Sequence, residues 1–227
     1  MSDLSSIAWD QRYQTGDAPW DLGFPTPPFV NLLSSSEAPK LGRIAVLGCG
    51  GGYDALLFAE AGFEVVGFDF APTAIDRANA RATDRGIKNV QFLQRDIFDL
   101  ETEFVNEFDY VLEHTCFCAI DPELRSRYVQ LVHSILRPQG QLIAIFYTHS
   151  RSGGPPFGVK PQEVLDYFEP QFDRILFKPA TDSIDRRKGD EYLAIFKVRK
   201  RMDSIGNASY SKPDISSRSG DTLAYDI

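Results

Sequence analysis

The chain has 227 residues, the length of one domain with appendages, and two full domains would be cramped in it. Hydrophobic residues make up 43% and charged residues 25%, an ordinary balance for a protein that buries a core. Lys and Arg number 24 against 32 Asp and Glu, a net charge of −8, with basic runs only at 186–188 and 199–201, which argues against a nucleic-acid surface as the main function.

The first strand-like run, Ile44-Ala45-Val46-Leu47, leads into Gly48-Cys49-Gly50-Gly51-Gly52 and then a stretch of helical spacing over 53–61 that stops at Gly62. A second apolar run over 63–70 carries Asp69 near its end. Pro72 can open a helix, with Ala74, Ala78 and Ala82 down one face and Gly86 as its stop. Residues 90–93 read as a third strand ending near Asp96, 108–112 as a fourth, 122–136 as a helix and 140–148 as a fifth strand. Such alternation implies parallel strands joined by right-handed helical crossovers. After a Gly/Pro loop at 152–158 comes a short helix at 161–168. Two further β-like runs, 172–177 and 192–198, are joined by a polar segment without helical periodicity and are expected to pair antiparallel. Residues 201–227, rich in Ser, Asp, Asn and Gly, are expected to form a disordered tail, and the Asn207-Ala208-Ser209 sequon in it is read as chance.

The longest apolar stretches, 44–49 and 142–147, are far shorter than the ~18 residues of a membrane span. Residues 1–6 include an early acid and no apolar core of a leader sequence. Cys49, Cys116 and Cys118 are too few and odd in number for a disulfide framework, so a cytoplasmic address is expected. C-x-C without a second Cys/His pair is a poor zinc site, and no metal is expected.

A glycine turn between strand and helix lets a ligand lie against the backbone while helix N–H groups point at it. Gly48, Gly50 and Gly52 fit G-x-G-x-G better than the dinucleotide fingerprint, whose last glycine would fall on Tyr53. Asp69 lies 21 residues beyond Gly48, the offset of a ribose-binding carboxylate. Asp96 can accept from an adenine amino group, with the N–H of Ile97 serving a ring nitrogen. A structural turn and a solvated strand-end acid are the competing readings, and they explain less because all three features share one sheet edge. Together they read as an adenosine site, and no Walker lysine suggests ATP.

Val46-Leu47-Gly48-Cys49-Gly50-Gly51-Gly52-Tyr53-Asp54, Asp69, Arg95-Asp96-Ile97 and Leu136-Arg137-Pro138-Gln139-Gly140 resemble class I S-adenosylmethionine-dependent methyltransferases over residues 9–199. Val46 departs from the acid usual at its place. The segment Trp9-Asp10-Gln11-Arg12-Tyr13, continuing to Ala18-Pro19-Trp20-Asp21 and Pro25-Thr26-Pro27, is similar to the thiopurine S-methyltransferase-like group, particularly its thiol, halide and thiocyanate branch. Phe117-Cys118-Ala119-Ile120-Asp121-Pro122, Gly153-Gly154-Pro155-Pro156-Phe157, Asp182-Ser183-Ile184 and Arg187-Lys188-Gly189 agree with it.

The resemblance implies an α/β fold, a Rossmann-like three-layer sandwich with a seven-stranded, mostly parallel sheet whose last strand is antiparallel. It divides the chain into a cofactor-covering segment at 1–42, a methyltransferase domain at 43–200 and the tail at 201–227. It implies S-adenosyl-L-methionine as cofactor, held by Trp9, Tyr13, Trp20, Gly48, Gly50, Asp69, Asp96, Ile97, Glu113 and His114. Aromatic faces attract a sulfonium by cation–π interaction, and plugging a hydrophobic edge is the plainer use of Trp9 and Trp20. His114 stands where the family often has Tyr, and either stacks on the cofactor or acts as a base. Arg187, with Arg186 and Lys188, lies in a loop that closes over the acceptor in this family, so Arg187 and His114 are the catalytic candidates; a solvated basic turn is the alternative. Tyr147 and His149 are further pocket candidates. The expected reaction is in-line methyl transfer to a small soft nucleophile, a thiol, hydrosulfide, thiocyanate, halide or thiopurine, by a monomer or weak dimer. An O- or N-methyltransferase of a small metabolite and a non-catalytic S-adenosylmethionine sensor are the alternatives.

Overall fold

The computed structural model describes residues 3–199, so the segment 201–227 and the sequon lie outside the described residues. Seven strands, β1 (Arg43–Leu47), β2 (Glu64–Asp69), β3 (Val90–Gln94), β4 (Phe108–His114), β5 (Leu136–Tyr147), β6 (Phe172–Pro179) and β7 (Glu191–Val198), form one sheet in the order β3-β2-β1-β4-β5-β7-β6. Neighbours from β3 to β5 are parallel, and β7 runs antiparallel to both β5 and β6. The antiparallel last strand is as expected; its insertion between β5 and β6 is not written in any local pattern.

β1 is buried along nearly its whole length because both faces of the sheet are covered. Its side chains alternate between two cores: Ala45 and Leu47 join Phe68, Leu131 and Phe196, while Ile44 and Val46 join Leu56, Phe58 and Ile75. Helices α3 (Tyr53–Glu60) and α4 (Pro72–Asp84) contribute to the second core, and α6 (Arg125–Ile135) and α7 (Pro161–Phe168) to the first.

Two local expectations are corrected, and three helices were not foreseen. The helix expected over 122–136 is a 3-10 turn at Pro122–Leu124 followed by α6, and β5 begins at Leu136 rather than 140. Leu136 pairs with Phe108, after which the register shifts, and a Cβ on Gly140 would stand 2.9 Å from the Arg137 carbonyl, so glycine allows the strand to continue through the irregularity. A short helix α5 (Leu100–Glu103) was not foreseen. Residues 5–33 hold α1 (Ser6–Thr15) and α2 (Pro27–Leu33), for which the apolar residues show no stripe; the legible signals were the caps Ser5 and Gly16 and the proline at 27.

A carboxylate and a guanidinium tie α1 to α4, with Arg77 Nη2 donating to the Tyr13 carbonyl at 2.7 Å. α4 has no side-chain cap of its own, and Asp10 supplies one from α1: its Oδ1 accepts the Thr73 N–H at 2.7 Å and Oδ2 the Gln14 amide at 2.6 Å. Asp10→Ala is therefore expected to lower stability by about 1 kcal/mol, the usual cost of a lost cap, and to weaken cofactor binding measured by calorimetry because Trp9 and Tyr13 ride on the same helix. Unchanged stability and affinity would show that α1 is held by its other contacts.

Candidate active site

A cavity of about 430 Å³ opens at the carboxyl ends of β1, β2, β3 and β4, around the point where strand order reverses between β1 and β4. The turn after β1 shapes its floor. Gly48 has φ +59°, and a Cβ there would stand 3.2 Å from Cys116 Sγ; Gly52, at φ +83°, caps α3 with Ala78 and Phe92 where its Cβ would be. Tyr53 is the first helical residue, where no left-handed backbone is needed, so the glycine missing from the dinucleotide pattern is not needed here.

Asp69 ends β2 on the cavity wall, with Oδ2 accepting the Gly50 N–H and Oδ1 the Ala71 N–H, each at 2.9 Å. Burial raises its pKa to about 6 in spite of those two bonds. Asp96 faces the same space and caps the following 3-10 turn through the Phe98 N–H at 3.0 Å, with Ile97 beside it. These two carboxylates and the Cβ-free turn match the chemistry of an adenosine: acceptors for ribose hydroxyls at Asp69, and an acceptor for an exocyclic amine at Asp96.

Trp9, Tyr13 and Trp20 stand on the cavity as one aromatic group. Trp9 and Trp20 meet edge-on at 4.9 Å, Tyr13 and Trp20 at 5.6 Å, and the Trp20 indole N–H donates to the Tyr13 hydroxyl at 2.9 Å. The Arg12 guanidinium, which motif reading missed, already lies 4.4 Å from the Trp20 ring centre and 5.4 Å from that of Trp9. The loop before β7 holds this group in place: Arg186 donates to the Pro19 carbonyl and Arg187 to that of Trp20.

Gly50 lines a smaller cavity of about 60 Å³ beside the main one, with Asp54, His114 and Thr115 also on its wall. Thr115 follows β4 with φ +62°, an uncommon backbone for a β-branched residue and a second feature the sequence did not announce. Glu113 is not on either cavity wall. Its fully buried carboxylate turns inward, accepting the Tyr128 hydroxyl at 2.5 Å and the Phe117 N–H at 2.9 Å, and burial raises its pKa to about 7. Glu113 thus lies behind the cavity wall, where its two hydrogen bonds brace the turn that carries Thr115.

His114 and Arg187, 73 residues apart, meet at the wall of the main cavity: Arg187 Nη1 lies 2.9 Å from His114 Nε2 and 3.2 Å from Glu191 Oε1. Arg187 is only 6% exposed, which corrects the alternative of a solvated basic turn; the 3-10 turn at Asp185–Arg187 folds its side chain inward against Glu191. Tyr147 lines the cavity with its ring centre 5.7 Å from the Arg187 guanidinium; His149 does not reach that wall, and its ring packs on Tyr147. The three cysteines are free, and burial raises the pKa of each, that of Cys118 to about 12, so they remain thiols. Among the described residues no cluster of His, Cys, Asp or Glu could hold a metal ion, and no helix is long and apolar enough to cross a membrane.

A mostly parallel seven-stranded sheet with an antiparallel last strand, a glycine turn and a buried acid at its switch point define the class of S-adenosylmethionine-dependent methyltransferases. The model of the thiopurine S-methyltransferase family matches residues 4–206, and the chain belongs to that family. It is 36% identical over 200 residues to the probable thiol methyltransferase 2 of Arabidopsis thaliana, covering 87% of each chain, and 35% identical over 193 residues to thiocyanate methyltransferase 1 of Brassica oleracea, covering 83% of this chain and 84% of that one. Among solved structures, the Burkholderia thailandensis 1,6-didemethyltoxoflavin-N1-methyltransferase with bound S-adenosylhomocysteine superposes with a TM-score of 0.69 at 17% identity, over 87% of this chain and 88% of that one, a likeness of fold.

Proposed function

We propose that the protein transfers the methyl group of S-adenosylmethionine to a small, soft nucleophile, a thiol, hydrosulfide, thiocyanate, halide or thiopurine, by in-line displacement. The observation that carries this reading is that one cavity joins the adenosine carboxylates Asp69 and Asp96 to a cationic end at Arg187 and His114. The acceptors in the relatives' names support it. The cofactor supplies an activated methyl on a sulfonium, so the chain needs no nucleophile of its own. Asp69 and Asp96 orient the adenosine, Trp9 and Trp20 cover the site and exclude water, and Arg187 attracts an anionic acceptor. The substrates are small molecules; a cytoplasmic monomer or weak dimer, with no nucleic-acid or membrane partner, fits the free thiols and acidic balance.

The test is incubation with methyl-labelled S-adenosylmethionine and iodide, thiocyanate, hydrosulfide, a thiophenol or a thiopurine, with volatile and soluble products assayed separately. Methyl iodide, methyl thiocyanate, methanethiol or a methyl thioether is the expected product. A methylated thiopurine alone narrows the acceptor to that compound; methylated oxygen or nitrogen acceptors, or cofactor binding with no product at all, overturn the reading.

A further inference from the structure

Arg125 has no part in the function as described, and it is an uncommon buried charge. It is the first residue of α6, at the helix end that disfavours a cation, and only 4% of it is exposed. Buried guanidinium groups are normally paired with a carboxylate, but among the described residues Arg125 has no ion pair, and its Nε has no hydrogen-bond partner. Its other two nitrogens both turn to one loop: Nη1 donates to the Gly158 carbonyl at 3.0 Å and Nη2 to the Phe157 carbonyl at 3.1 Å. The Phe117 ring packs against the guanidinium, its centre 5.1 Å away.

The loop so held is the Gly/Pro loop at 153–158, and its middle reaches the site: Pro155 and Pro156 line the main cavity. The Phe157 N–H donates to the carbonyl of Cys118, which lines the cavity as well. Burial and the Glu113 charge raise the Cys118 pKa to about 12 against the opposing charges of Arg187 and Arg125, so this thiol lies within reach of both guanidinium groups. The loop therefore borders the end of the cavity where Arg187 stands. We propose that Arg125 is a positioning residue for acceptor selection: by holding the Phe157 and Gly158 carbonyls it fixes Pro155 and Pro156 as a rigid wall that admits small acceptors and excludes bulky ones. This rests on the acceptor class proposed above and narrows it to its small members, hydrosulfide, thiocyanate and halide.

In-line displacement needs the nucleophile about 3 to 3.5 Å from the methyl carbon and aligned with the bond that breaks. A halide or thiocyanate offers few atoms by which to be oriented, so the walls of the site must do it. Proline rings suit such a wall, because φ is fixed and no rotatable side chain can swing away. The rest of the loop does not hold itself: Gly153, Gly154 and Gly158 are three of its six residues, and glycine has the most backbone freedom to lose. Two bonds from one planar, buried group to successive carbonyls remove that freedom next to the prolines.

In Arg125→Met the ratio of kcat/KM for iodide to that for thiophenol is expected to fall about tenfold, the worth of a modest change in pocket fit, because iodide loses orientation while thiophenol gains room. The dissociation constant of S-adenosylhomocysteine, read by calorimetry, is expected to stay within about twofold, since both hydrogen bonds of Arg125 go to the acceptor-side loop. Arg125→Lys keeps the buried charge and the stem but cannot fork to two carbonyls; it is expected to fold, as its thermal midpoint will show, and to shift the ratio in the same direction by less. Pro156→Ala, which thins the wall with Arg125 in place, is expected to shift it too. An unchanged ratio in the Arg125 variants, iodide and thiophenol efficiencies that fall alike, or cofactor affinity that falls with them, overturns the proposal and leaves Arg125 a strut of the fold. Wild-type protein that prefers thiophenol or a thiopurine overturns it while the acceptor class stands. Wild-type protein that methylates neither iodide nor any thiol overturns that class, and this inference with it.

Discussion

Arg187→Met is expected to lower the thermal midpoint by roughly 10 °C and to raise KM for anionic acceptors, with cofactor affinity falling much less because the bond to the Trp20 carbonyl is one of several that hold the aromatic group. The first effect follows from Glu191, 2% exposed, whose carboxylate is paired with Arg187 Nη1 at 3.2 Å, its nearest cation. Removing one member of a buried pair strands the other, at about 3 to 5 kcal/mol, and in a domain of this size each kcal/mol moves the midpoint by about 2 to 4 °C. The second follows from the loss of the cation on the cavity wall. The double variant Arg187→Met, Glu191→Gln separates them: it removes the stranded charge and is expected to recover most of the stability and none of the affinity for iodide or thiocyanate. If calorimetric cofactor affinity falls as far as acceptor affinity, Arg187 has no acceptor role.

The wild-type pH dependence carries the same pair. Burial pushes the Glu191 pKa up, but hydrogen bonds from His114 and Ser183 and the charges of His114 and Arg187 hold it below its usual 4.5. A depressed carboxylate contributes stability that is present above the unfolded value and is lost as pH falls through the folded one. Wild-type protein should therefore lose this contribution as the pH drops below 4.5, and the double variant, which lacks the carboxylate, should lose stability less steeply over the same range.

Asp69→Asn is the second large effect, expected to weaken S-adenosylmethionine binding about 10- to 100-fold, the worth of hydrogen bonds to a charged acceptor. Burial holds the Asp69 pKa at about 6, so the sign is opposite to that of Glu191: its contribution to the stability of the free protein is greatest below about 3.8 and is lost as pH rises through about 6. At about pH 7.5 the ionised carboxylate is a cost to the free fold. Asparagine removes that cost but leaves either the Gly50 or the Ala71 N–H without its acceptor, so stability should change little while affinity drops. Calorimetry at about pH 7.5 checks this, and a dissociation constant within about threefold of wild type would place the ribose elsewhere. Wild-type affinity should itself decline as pH falls below about 6.

Much of this site was legible in the chain itself. The run Ile44-Ala45-Val46-Leu47 with Gly48, Gly50 and Gly52 specifies strand, turn and helix because period and left-handed backbone are local properties. Asp69 and Asp96 were found because strand ends in an α/β pattern all fall on one edge. The surroundings of Glu113 were less legible, for a related reason. Its position at the end of β4 was read correctly, but the direction of its side chain depends on Tyr128 and Phe117, which complete its hydrogen bonds inside the core.

The sequence by itself determined the seven strands, their mostly parallel sense, the glycine turn and the family. Tertiary structure alone decided the order that sets β7 between β5 and β6, the docking of α1 through Asp10, and the partners of the buried charges. Asp54 and His114 are 60 residues apart, Thr26 and His114 88, and Arg187 and Trp20 167. No periodicity links such positions. Which carboxylate meets which cation is settled when the sheet edge brings them together away from water, where an unpaired charge costs most.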